Sequence, residues 1–69
     1  MKDHFAFAVA DSATGQTTVF GAAFRSVAAR SALRFIEASP DVRNIVPEPR
    51  LTGDQNLEVQ KGRPVTVTT

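Results

Sequence analysis

The chain is predicted to fold as a small α+β domain. The expected architecture is an antiparallel sheet of β-β-α-β order, further strand pieces at the C-terminal end, and one helix packed on one face. Three patterns predict it. Residues 5–10 contain no polar side chain and alternate large with small. Residues 27–38 are rich in helix formers, with apolar positions at helical spacing. Val65-Thr66-Val67-Thr68 alternates with a period of two.

Residues 5–10 read Phe-Ala-Phe-Ala-Val-Ala. In a strand Phe5, Phe7 and Val9 point one way and Ala6, Ala8 and Ala10 the other, so both faces are apolar and both need cover. The cluster Asp11-Ser12-Ala13-Thr14-Gly15-Gln16 follows, turn formers with a glycine available for positive φ. Thr17-Thr18-Val19-Phe20 is β-branched and aromatic, which predicts a second strand and an antiparallel hairpin with a loop longer than two residues. Gly21 inside that run marks a bulge or a close backbone approach. Continued to Phe24, the strand places Phe20, Ala22 and Phe24 on one face.

Ser26 is the expected N-cap of a helix over residues 27–38. Ala29, Leu33 and Ile36 form the expected buried stripe with Ala32, and Phe35 lies toward its edge beside Ala28 and Ala32. Arg30, Arg34 and Glu37 mark the wet face, where Arg34 and Glu37 are spaced to pair. Pro40 stops the helix. A short third strand is expected at residues 43–46, ended or held at an edge by Pro47 and Pro49. Residues 52–56, Thr-Gly-Asp-Gln-Asn, read as a second turn cluster. Leu57, Val59 and residues 65–68 read as late strand pieces broken at Gly62 and Pro64, the last of them either an edge strand or a tail.

Sixty-nine residues make one domain near the lower size limit for independent folding. There is no Cys, so neither a disulfide framework nor a Cys-based zinc site supports the core. Eight Lys or Arg against seven Asp or Glu do not mark the chain as strongly basic. No apolar run approaches the length of a membrane span, and the Met1-Lys2-Asp3-His4 start with its run of six is too short for a secretory signal. A soluble, cytoplasmic protein without membrane contact is the resulting expectation. Met1 suggests a complete small reading frame, and six Arg against two Lys, with abundant Ala, suggests a GC-rich bacterial, phage or plasmid genome.

The residues offer little catalytic chemistry. His4 is the sole imidazole, and Asp3, Asp11, Asp54 and Glu58 match no calcium-loop spacing. Ser12 is in a loop, Ser31 is within the helix, and no nucleophile elbow is present. Pro40 separates Glu37 from Asp41 and breaks the geometry that would pair them. No catalytic residue, metal or cofactor is therefore expected.

Two functional readings remain. The first is a non-catalytic interaction protein that uses Phe5, Phe7, Val9, Phe20 and Phe24 to dock on itself or on a larger protein. It is motivated by a doubly apolar strand in a chain with little material to cover it. The second is a nucleic-acid binder, with Arg25, Arg30, Arg34 and Arg43 on phosphates and Phe20 and Phe24 stacking on bases. The size and β-β-α-β plan resemble those of small phage and plasmid accessory proteins, some anti-CRISPR inhibitors among them. That resemblance implies an accessory, adaptor or inhibitor role.

Overall fold

A hairpin organises the sheet. In the computed structural model, which describes residues 4–68, strand β1 (Phe5–Asp11) pairs antiparallel with β2 (Gln16–Ala22), with Phe7 opposite Phe20 and Val9 opposite Thr18. Met1, Lys2, Asp3 and Thr69 lie outside the described residues. Asp11 closes the turn twice: its carbonyl accepts from the Gly15 amide at 2.8 Å and its Oδ1 from the Ala13 amide at 2.9 Å. Gly15 sits at φ 72°, the left-handed region that this turn needs and that glycine enters without steric cost.

β2 ends at Ala22, short of Phe24, and helix α1 (Arg25–Ala38) begins two residues earlier than the sequence suggested. Its N-cap is Phe24 in an extended conformation, with no side-chain cap; Ser26 lies inside the first turn. The Phe24 carbonyl takes the amides of Val27 and Ala28, both at 3.1 Å. After Pro40 the chain enters β3 (Arg43–Val46), which lies antiparallel to the outer side of β1. Helix α2 (Gly53–Gln60) then leads to β4 (Val65–Thr68), antiparallel to β2, giving the sheet order β3-β1-β2-β4. The result is an antiparallel α+β fold, as predicted, in which the C-terminal segment is a paired edge strand.

α2 replaces the turn cluster and the strand pieces expected at Leu57 and Val59. Thr52 accepts from the Gln55 amide at 3.2 Å while the Gln55 side chain accepts from the Thr52 amide at 2.9 Å, a reciprocal capping box. Asp54 in the first turn suits the positive end of the helix dipole.

Directly opposed residues share a sheet face, so the register assigns each helix to a side. Phe5, Phe7, Val9 and Asp11 share theirs with Phe20, Thr18, Gln16, Ile45, Arg43 and Thr66. α1 covers this side: its Phe35 ring packs on Phe20 with centroids 5.2 Å apart, and its Ala28 and Ala32 are fully buried. The packed stripe is therefore Ala28, Ala32 and Phe35. Leu33, expected in the stripe, is 54% exposed, because the small alanines and not the larger leucine face the bulky strand residues.

Ala6, Ala8, Val19, Gly21, Val46 and Val65 line the opposite side. There Ala8, Val19 and Val59 of α2 form a buried cluster, joined by Ala6, Val46, Leu51 and Val65. Gly21 is the close approach its position predicted. A Cβ there would collide with Val59 Cγ1 and fall 2.7 Å from the Val59 carbonyl oxygen. Each face of the sheet thus carries one helix: α1 packs on β1 and β2, α2 on β2 and β4, with Val46 and Leu51 completing the cover beside Ala8.

Candidate functional site

Asp11 ends β1 and Arg43 begins β3, and the register sets them side by side on the α1 face. Arg43 Nε donates to Asp11 Oδ2 at 2.9 Å, and Nη1 donates to the Phe35 carbonyl at 2.7 Å. That carbonyl belongs to the last turn of α1, where the Ser39 amide bonds to Ile36 instead, so Arg43 satisfies an acceptor the helix leaves open. The guanidinium carbon also lies 3.7 Å from the centroid of the Phe35 ring, a cation–π contact. One arginine thus ties the end of α1 to two strands.

The hydrogen bond from Arg43 is the main reason the Asp11 carboxyl titrates below its ordinary value. The Ala13 amide helps and partial burial opposes. Asp11 is held ionised, and both of its oxygens are engaged. It is not poised to exchange a proton near neutral pH.

Beside this cluster runs a groove of about 460 Å³ on the α1 face. Thr18 and Thr66 lie in its floor with their hydroxyls 3.1 Å apart, Phe20, Phe35 and Arg43 line one side, and Pro64 lines the β4 side. α1 packs over β1 and β2 and reaches β3, which leaves the groove beside β4. The arrangement combines aromatic surface, hydroxyls and a guanidinium paired with Asp11.

The predicted interaction residues separate. Val9 is 0% exposed beneath α1 and is core, Phe7 and Phe20 are half-buried, and Phe5 and Phe24 are exposed, Phe24 at 70%. The predicted basic residues separate as well. Arg25, Arg30 and Arg34 are exposed, and among the described residues none forms an ion pair, so the expected Arg34–Glu37 pair is not made. Arg43 is committed to Asp11 and Phe35 and does not join them. The pairing of Arg43 with Asp11 was not read from the sequence. Its signal, an acid ending one strand and a base beginning another, becomes visible only once β1 and β3 are known to be neighbours.

Among the described residues no group of three or more His, Cys, Asp or Glu side chains is placed to hold a metal ion, and no helix is long and apolar enough to cross a membrane. Comparison with protein-family models, curated proteins and solved structures finds no match. The fold and groove define a four-stranded antiparallel sheet between two helices, with an aromatic and hydroxyl-lined groove along one edge strand.

Proposed function

We propose that this chain is a non-catalytic protein–protein interaction module. It acts as a small accessory, adaptor or inhibitor protein of a bacterium, phage or plasmid, associating with itself or with a larger protein through its sheet and the adjoining surface. An anti-CRISPR-like inhibitor is one form of this role. The supporting observation is the distribution of apolar side chains. Ala8, Val9, Val19, Ala28, Ala32 and Val59 are buried, whereas Phe5, Phe24, Val27, Leu33, Ile45 and Leu57 are exposed. Six large apolar side chains are thus left outside while Phe7, Phe20 and Phe35 are half-buried, an apolar surface that a partner could cover.

The test is sedimentation velocity and affinity capture with the purified chain, alongside the Phe24→Asp/Leu33→Asp double variant. Both positions are exposed, so circular dichroism should be unchanged. A self-associated form or a stoichiometric protein partner is expected with the wild type. A chain that stays monomeric and retains no partner at native abundance rejects the reading.

A second reading is favoured by Arg25, Arg30 and Arg34, exposed and without ion pairs among the described residues. Such residues can contact phosphates of a nucleic acid. Salt-dependent anisotropy titration with single- and double-stranded probes separates it from the first. Binding lost in Arg30→Ala/Arg34→Ala supports it, and no binding by wild type at low salt rejects it.

A further inference from the structure

We infer that a partner of this chain is a second copy of itself, joined edge to edge through β4. The inference rests on the interaction reading and names its occupant. The sheet has two edges, and they differ. β3 is closed to a further strand: Arg43 is tied inward to Asp11 and Phe35, and Pro47 and Pro49 follow the strand directly. β4 reads Val-Thr-Val-Thr, with no charge and no proline inside it. It is short and Pro64 precedes it, but no charge or proline interrupts its four residues, and its β-branched side chains favour pairing.

β4 also matches itself. Two copies of an edge strand pairing antiparallel are related by a two-fold axis normal to the sheet, so like faces meet. Centred on Thr66, that pairing sets Thr66 against Thr66 on the α1 face and Val65 against Val67 on the α2 face. Val65 and Val67 are only half-buried in one chain and gain cover from each other across the axis. A charge near a two-fold axis would meet its own copy, but the charged residue closest in sequence, Arg63, is neutralised by Glu58 at 3.1 Å. The grooves floored by Thr18 and Thr66 then face the same axis and become one trough between two α1 helices.

Thr66 is exposed, so Thr66→Lys or Thr66→Glu can reach solvent from the single chain at the cost of the Thr18 hydroxyl contact. Sedimentation equilibrium is expected to give twice the chain mass for wild type and the single-chain mass for each variant alone. An equal mixture of the two variants restores the double mass, more fully at low salt, which also shows that both are folded. A wild type that remains monomeric from micromolar to millimolar concentration overturns the inference. If it still retains a stoichiometric protein partner, the interaction reading stands without self-association. A dimer unaffected by either Thr66 variant also overturns the β4 assignment, and its loss in Phe24→Asp/Leu33→Asp would put the contact on α1.

Discussion

The Arg43 guanidinium lies 3.7 Å above the centre of the Phe35 ring while its Nη1 bonds to the carbonyl of the same residue. Side chain and backbone of Phe35 are thus gripped by one planar group, which also holds Asp11. Lysine offers one compact charge and no planar fork. Arg43→Lys is therefore expected to destabilise the fold by about 1–2 kcal/mol, through a lost carbonyl bond and weaker stacking. Urea unfolding measures it, and an unchanged midpoint would show that the contact contributes nothing.

Acid should weaken this contact through Asp11. Its carboxyl titrates below the ordinary value of 3.8, so the folded state binds the proton less readily than the unfolded state. The contribution is fully present above that value and is lost as pH falls through the lower folded value. Asp11→Asn is expected to be less stable at neutral pH and to lose less on acidification below 3.8. Parallel slopes for the two proteins in that window would contradict the assignment.

Gly21 and Val59 test the second face. Gly21→Ala is expected to cost about 1–3 kcal/mol, the range for overpacking a tight contact. Gly21 is not among the positive-φ residues, so the cost is steric. Because the alanine meets Val59 backbone as well as side chain, Gly21→Ala/Val59→Ala should recover only part of any non-additive loss in a double-mutant cycle.

Thr52 anchors α2. Thr52→Ala removes the reciprocal cap with Gln55 and is expected to cost about 1 kcal/mol. Amide exchange should quicken across Gly53–Gln60 first, whereas β1 and β2 should keep their protection. Uniform loss of protection would mean that α2 unfolds only with the whole domain.

α2 shows where sequence reading stopped. Leu57 and Val59 are two residues apart, the spacing of one strand face, and Gly53 and Asn56 read as turn residues. The capping pattern Thr52–Gln55 was present, but an eight-residue helix with one buried apolar side chain, Val59, has almost no amphipathic stripe to announce it. α1 is legible because it is longer, though helical spacing places Leu33 in the buried stripe and the structure places it outside. Helical spacing alone admits neighbouring stripes, and only the opposing surface selects one. The candidate site was less legible still: the Phe and Arg positions were visible, but their sorting into buried and exposed followed from packing.

The sequence by itself determined the hairpin, the third strand, the main helix and the antiparallel α+β class, and left residues 65–68 open between edge strand and tail. These rest on local rules: alternation, turn residues, and proline at element ends. The tertiary structure alone decided which helix covers which face of the sheet. Both faces are apolar, so hydrophobicity does not choose between them; volume does. The side bearing Phe7, Val9 and Phe20 receives a helix presenting Ala28 and Ala32, and the side bearing Ala8 and Gly21 receives Val59. Large against small fills each interface, and that sum is a property of pairs brought together by the fold.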